Sequence, residues 1–507
     1  ASLGSNGGGE DQIALEGYFL RANYNYDSRY FISASVRTDG SSKFKNVSDR
    51  WGWFWSLGGA WRISNEEWIK DASWLTDLKL RADYGTTGNQ SGIGNYAGYT
   101  TWGYAATGWL NSGASMPSGW KLTQNAMANS SLTWETKKTW DVGLDFRLWD
   151  RFYGTLDWYQ TNTTDMIWNA PTNYAATGQS SIAANSAELR TRGFEFELGV
   201  DIIKTPDILW SFGVNGAHYK TILTKVPEGT GSDKLNGMWE ANPDGWTAAG
   251  TGTISNGAFY LRGVGKPYYN VYQYLYGGVD QATGLPLISS TVTSENIEAL
   301  RASHYVGDLK EGNMVYTTNH SLATRQEIGD ATPKLIGGFN TSFRWKDLDF
   351  AATFAFQIGG KFFSNSYALY YYDDTTPGYL VSEDLRNNTW TATNTSAKYP
   401  MMMYANPNGD SYTYGASIGS WAYTDMSLFD ASYLSVKNIT VGYNFPQKWM
   451  DKIGIGGIRV YASFDNFWML TTHKGIDPRM SLVGGMDVGA MAYPYMRTCS
   501  LGVNVTF

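Results

Sequence analysis

The side chains in this 507-residue chain that could do chemistry do not fall at the spacings chemistry needs. Its four histidines, His218, His304, His320 and His473, are scattered, with no HExxH helix motif and no metal-ligand pairing. A single cysteine, Cys499, leaves no intrachain disulfide and no thiolate metal site. The glycines around Gly92, Gly94 and Gly98, and around Gly454, Gly456 and Gly457, do not make a GxGxxG fingerprint and read as turn residues. Glu195 and Glu197 share one strand face, where solvation explains them. Asp373 and Asp374 lie in a loop, where such a pair suits sugar hydroxyls or a calcium ion. Serines are too many for a triad to mean anything without a partnered histidine. No catalysis, metal centre or cofactor is expected. A net charge of −7 without a basic stripe argues against a nucleic-acid partner.

Aromatic residues are the stronger candidates. Trp239, Trp246 and Tyr260 fall in the longest loop, followed by Tyr268, Tyr269, Tyr272, Tyr274 and Tyr276. Tyr370, Tyr371, Tyr372, Asp373, Asp374 and Trp390 fall in the next long loop. Flat rings stack on the apolar faces of sugars while Asp and Asn bind the hydroxyls, and peptide side chains can pack on the same rings. The expected substrate contacts are therefore Trp239, Trp246, Tyr260, Tyr370, Tyr371, Tyr372, Asp373, Asp374 and Trp390. The competing expectation is that these rings pack the loops together or bury against a partner.

The elements that must position these loops are strands. Period-two alternation puts apolar residues on one face and wet residues on the other. It appears over thirteen segments, at residues 13–26, 29–38, 51–62, 78–84, 140–148, 152–159, 194–202, 208–219, 335–345, 348–358, 433–445, 458–467 and 499–507. The last sets Cys499, Leu501, Val503, Val505 and Phe507 against Ser500, Gly502, Asn504 and Thr506. The spacing of Ser64 and Glu67 predicts a capping box opening a short helical turn over 65–70. Pro446 and Gly454 bracket a second over 446–453.

Connections alternate in length. Those after Tyr26, Arg62, Leu148, Ile202, Trp345 and Phe445 are short, and most of the others are long, the largest lying between Lys220 and Lys334. Transmembrane β-barrels show this segregation, with short periplasmic turns and long extracellular loops. Composition agrees: charged residues are 17%, aromatics 16%, and no run of apolar residues is long enough for a membrane helix. The expected fold class is all-β, a transmembrane antiparallel β-barrel in a bacterial outer membrane with a periplasmic C-terminus. Trp140 and Trp158 read as interfacial anchors. Residues 1–12 read as an extracellular loop remnant and 13–507 as the C-terminal part of the barrel. An odd strand count implies that further strands precede them, since single-chain bacterial barrels have even numbers.

Specific stretches carry a resemblance to one family. They are residues 29–44, built around Val36-Arg37-Thr38-Asp39-Gly40, and residues 75–90, ending Tyr84-Gly85-Thr86-Thr87-Gly88-Asn89-Gln90. They continue through 132–136, 329–334, 337–339, 433–446, 459–461, 465–466 and 475–478, in that order. The chain resembles the C-terminal half of SusC/RagA-type TonB-dependent transporters of Bacteroidetes outer membranes. The resemblance implies a barrel of about 22 strands, a plug domain and a TonB-contacting segment outside this chain, and a SusD-like surface lipoprotein as lid. It implies import of oligosaccharides or oligopeptides driven through TonB, with outer-membrane lipid around the barrel. Phe507 would be the terminal aromatic read by the barrel-assembly machinery. The readings in competition are a non-transporting, aromatic-rich glycan-binding β protein, a passive porin and a surface glycosidase.

Overall fold

The computed structural model describes residues 11–107, 119–229, 239–241, 259–364, 367–368, 382–402, 424–473, 477–479 and 495–507. All thirteen expected alternating segments form strands of one sheet, adjacent in chain order. We number them β1 (Leu15–Tyr26), β2 (Tyr30–Ser41), β3 (Trp51–Arg62), β4 (Leu75–Asn89), β5 (Glu135–Leu148), β6 (Phe152–Pro171) and β7 (Ser181–Lys204). The rest are β8 (Ile208–Lys225), β9 (Leu335–Trp345), β10 (Leu348–Ile358), β11 (Tyr433–Asn444), β12 (Gly457–Thr471) and β13 (Thr498–Thr506).

The chain resolves into two compact units. The first comprises Ala1–Gly199, Tyr219–Trp239 and Gly263–Gly265; the second comprises Val200–His218, Glu240–Arg262 and Lys266–Phe507.

Within the first unit, the antiparallel register lines up Tyr24, Ile32, Gly59, Ala82, Val142 and Trp158 across six strands. Within the second, Trp210, Phe343, Phe350, Val441, Ala462 and Leu501 form one row. The adjacent row is Ser211, Ser342, Ala351, Thr440, Ser463 and Ser500. Neighbouring rows face opposite ways, so one face is apolar and the other is small and polar. The apolar face is open: Tyr24, Ile32, Trp53, Leu57, Val142, Trp158 and Val441 are all exposed. A bulge at Lys437 gives β11 one extra residue against β10, and β12 in turn gains one against β11, where Asn466 and Phe467 face Lys437 alone. That extra residue reconciles Leu434 and Val436 with Ile439 and Val441, which would otherwise fall on opposite faces.

The short turns follow from local geometry. Asp27 and Ser28 have φ of 53° and 54°, and Trp149 and Asp150 both have 52°. Two consecutive residues at positive φ suit the right-handed twist of a two-residue hairpin. Around residue 66 the structure differs from expectation. Ile63–Asn65 is a short 3-10 turn, and residues 66–72 follow as further turns. Ser64 makes no cap; its hydroxyl donates to Asp77 Oδ1 at 2.9 Å, because a strand carboxylate competes for it. The second helical turn forms as expected, Gln447–Ile453, closed by Gly454 at φ 68°.

Two further differences concern length. β6 and β7 reach 20 and 24 residues, well past the alternating segments 152–159 and 194–202. Their extensions are rich in Thr, Asn, Ser and Ala, so the backbone ladder continues where no apolar face is needed. The expected loops between β8 and β9 and between β10 and β11 also hold structure. Tyr260–Arg262, Asn270–Gln273 and Gln326–Asp330 pair as strands. Tyr276–Val279, Pro286–Thr291, Met314–Thr317 and Tyr305–Val306 form a second small sheet, and Lys361–Phe363 pairs with Leu428–Asp430. These segments close on a dry core of Tyr260, Val271, Tyr274, Ile288, Phe362, Phe363, Leu385 and Tyr399.

Candidate binding surfaces

Two surfaces can meet a solute: the polar face of the sheet and the loops. On the polar face of the first unit, Arg81 of β4 fans out to three carboxylates. Its guanidinium lies 3.5 Å from Asp141, 3.0 Å from Asp145 and 2.6 Å from Asp157. Lys79 adds a contact to Asp145 at 3.7 Å. Asp157 is on β6, one strand beyond β5, and Arg81 reaches it over Gly143, its register partner. A Cβ at Gly143 would stand 2.5 Å from Arg81 Cζ and 2.6 Å from Asp157 Oδ1, so the absent side chain is what opens the path. The second unit repeats the device: Arg459 of β12 reaches Asp349 of β10 at 2.7 Å across Gly442 of β11. Bare glycines thus let charges pair across two strand spacings.

At a short turn, Glu66 gathers the β2–β3 end. It accepts from the Tyr30 hydroxyl at 2.6 Å, the Trp61 indole at 2.9 Å and Arg29 at 3.3 Å. The Tyr30 and Trp61 hydrogen bonds, with Arg29 beside them, hold its carboxyl below the usual range against the opposing effect of burial. In the loops, Asp425 accepts the Tyr276 backbone N–H at 2.8 Å. Burial pushes its carboxyl up, while the backbone donors oppose that shift.

The expected substrate residues divide three ways. Trp246, Tyr370, Tyr371, Tyr372, Asp373 and Asp374 lie outside the described residues. Trp239 opens the short strand Trp239–Ala241. Tyr260 and Trp390 are described, and both pack. Tyr260 is fully buried, edge-on to Tyr269 at 5.6 Å, with Arg262 over its ring at 5.5 Å. Trp390 donates its indole N–H to the Gln281 carbonyl at 3.0 Å and lies against Gly284. Tyr274 is buried too, with Arg325 over its ring at 4.7 Å. Tyr260 and Tyr274 belong to the loop core.

The histidines stay apart. His320 is buried with Nε2 at 2.9 Å from the Pro286 carbonyl, His304 meets Asp280 at 3.1 Å, and His473 lies edge-on to Phe429 at 4.1 Å. Among the described residues, no group of three or more His, Cys, Asp or Glu side chains could hold a metal ion. Phe507 stands just past β13, 96% exposed.

Sequence reasoning passed over a set of exposed rings in the first unit, Tyr96, Tyr99 and Trp102; Tyr96 and Tyr99 line a cavity of about 950 Å³. Their only signal was spacing within a Gly- and Asn-rich loop. A second cavity of about 1010 Å³ runs along the polar face of the first strands, past Ser35, Arg37, Asp39, Ser56 and Asp83.

Comparison with known proteins agrees with this architecture. The family described as "TonB dependent receptor-like, beta-barrel" matches residues 2–295. TonB-dependent receptor P3 of Formosa agariphila is 29% identical, over 98% of this chain and 46% of its own length. TonB-dependent receptor SusC of Bacteroides thetaiotaomicron is 28% identical, over 97% of this chain and 44% of its own. The solved structure of the RagAB peptide transporter superposes with a TM-score of 0.75 at 25% identity, over 98% of this chain and 48% of that one. The chain spans about half the length of the curated relatives it matches.

Proposed function

Because the chain belongs to the family of TonB-dependent receptor-like β-barrels, we propose that it forms the barrel part of an importer carrying oligosaccharides across the outer membrane. The observation that carries this reading is the two-faced sheet. Its apolar rows are exposed, as lipid requires, and its other face carries paired charges, as a wet conduit requires.

Trp61 and Trp53 lie on one apolar face of β3, roughly 26 Å apart at about 3.3 Å per residue, close to the apolar height of outer-membrane barrels. Exposed tryptophans at the short turns, Trp68, Trp74, Trp149, Trp345 and Trp449, suit a membrane interface. The short-turn end and the C-terminus then face the periplasm. A SusD-like lipoprotein covers the loop end, and TonB acts through parts outside this chain. Residues 13–507 are assigned to the barrel part. Substrate contacts are assigned to Trp239, Trp246, Tyr370, Tyr371, Tyr372, Asp373, Asp374 and Trp390, with Tyr260 beneath them. Phe507 serves assembly.

A second reading, import of oligopeptides, is favoured by the likeness to the RagAB peptide transporter. Uptake of labelled oligosaccharides and labelled oligopeptides by cells with and without the complete gene separates the two. Oligosaccharide uptake that stops when TonB is deleted is the expected result. Uptake that persists without TonB makes the protein a porin, binding without uptake makes it a surface binder, and hydrolysis without uptake makes it a glycosidase.

A further inference from the structure

The two faces of the first unit's strands treat cations differently. On the polar face, Arg81 meets three carboxylates. On the apolar face, towards the long loops, Lys138, Arg190, Arg192 and Lys220 form no ion pair with any described carboxylate. Glu188, the next residue of that face on β7, is taken by Lys225 at 4.0 Å.

Register and hydrogen bonds place the four on one face. Lys138 of β5 lies between Thr86 of β4 and Asn162 of β6. The neighbouring row of the same face holds Tyr84, Trp140 and Gln160. Arg192 of β7 donates its Nε–H to Gln160 Oε1 at 2.6 Å, and the Gln160 amide donates to Asn162 at 3.4 Å. Thr191, on the opposite face, shares a 2.8 Å hydrogen bond with Thr221 of β8. Alternation therefore sets Arg190 and Lys220 beside Arg192. The Nε–H of Arg190 is shielded from solvent and has no acceptor.

Along the strands the face changes in one order: Val142, Trp140, Lys138 on β5 and Phe196, Phe194, Arg192 on β7. Val142, Trp158 and Phe194 are exposed, and the Trp140 and Trp158 rings meet edge-on at 4.5 Å. Hydrocarbon, a ring belt and then headgroups impose that order. Beyond the belt, Lys and Arg keep their stems on the rings and extend their charges to the headgroups. Neutral Gln160 and Asn162 suit the same depth, so depth alone does not call for cations. A positive patch in a chain of net charge −7 selects an anion. Its position on the apolar side of the sheet selects an anion carried by a lipid. Guanidinium groups take phosphate through paired N–H groups. The rings and amides beside them match the C–H face and hydroxyl rim of a sugar.

We propose that Lys138, Arg190, Arg192 and Lys220 hold the phosphate of a glycolipid in the outer leaflet, with Trp140 and Trp158 against its sugar. This rests on the reading of the sheet as an outer-membrane barrel and is independent of what the barrel imports.

The test uses the complete protein, stripped of native lipid in detergent and titrated with phosphorylated lipid A, dephosphorylated lipid A or phosphatidylglycerol. Bound lipid is counted by native mass spectrometry. Wild type is expected to bind phosphorylated lipid A about tenfold or more tighter than the dephosphorylated form, an advantage that shrinks as salt rises. The K138Q/R190Q/R192Q/K220Q variant is expected to lose this preference at unchanged Tm. The R190K/R192K variant and K448Q, at a short turn, are expected to keep it. If the quadruple variant does not assemble, R192Q and K220Q decide, each expected to lose part of the preference. The same preference in wild type and variants overturns the site, whether or not Tm falls. Equal binding of the two lipid A forms overturns phosphate recognition, and phosphatidylglycerol bound as tightly as phosphorylated lipid A overturns the glycolipid. A change of oligomeric state without a change in lipid binding gives the surface to a second copy and overturns it as well. A wild-type protein that stays monodisperse without detergent overturns the barrel reading itself, a result distinct from all of these.

Discussion

The sheet and the loop layer of the second unit treat the same residue types in opposite ways. Val441 and Tyr443 on β11 and Ile358 on β10 are exposed, whereas Ile288, Phe362, Phe363 and Tyr260 in the loop layer are buried almost completely. An apolar row left open needs an apolar solvent, and an apolar cluster closed on itself needs water outside. One unit therefore contains a region whose solvent is lipid and a region with a globular core of its own. Aromatic content alone does not separate a ring that anchors in lipid, a ring that packs a core and a ring that waits for a ligand.

Substitutions that strike only one region make the difference measurable. The largest effect is expected at Tyr260→Ala, where removing a fully buried ring should destabilise the loop layer by about 3–5 kcal/mol. Hydrogen exchange should rise in residues 259–334, while β9–β12 stay protected. Next, Val441→Arg puts a cation on the open face and should cost about 2–4 kcal/mol in lipid, read by urea unfolding in vesicles. The same change leaves loop-layer exchange untouched. On the polar face, Gly143→Val would push Arg81 away from Asp157, with a cost of about 1–3 kcal/mol from overpacking; Gly143→Ala should fall between it and wild type.

At the turns the effects are smaller. Ser28→Gly relieves a non-glycine residue at φ 54° and should stabilise by about 1 kcal/mol. Glu66 gives a pH signature. Its folded carboxyl is held below its ordinary value of 4.5, so its contribution is full above that value and is lost as pH falls through the folded value. Wild type should lose turn stability on acidification below about 4.5, and Glu66→Gln should be flat over that window.

What the sequence made legible follows from the same contrast. Lipid on one side and water on the other impose strict alternation, so every strand of the sheet could be placed from residues such as Leu78, Leu80, Ala82 and Tyr84. The phase slip at Lys437 was passed over, although a change of parity between Val436 and Ile439 marks it. The far ends of β6 and β7 were not legible, because a ladder in water on both faces needs no apolar residue. The loop layer was not legible either. Its strands are two to six residues long, too short for a periodic signal, and they are held by contacts far apart in the chain, such as Tyr276 to Asp425. The burial of Tyr260 was not legible, because a buried ring and an exposed ring are the same letter. Tyr96, Tyr99 and Trp102 were overlooked because they stand in a Gly-rich stretch that reads as plain turn.

The central claim is that the apolar rows face lipid while their immediate neighbours face water. Nitroxide labels at Thr440→Cys and Val441→Cys, each with Cys499→Ser in the complete protein in outer-membrane lipid, test it with two adjacent residues. Collisions with dissolved oxygen and with a water-soluble nickel chelate report the surroundings of each label. The account predicts oxygen access and nickel exclusion at 441, with nickel access at 440. Equal nickel access at both positions would contradict it.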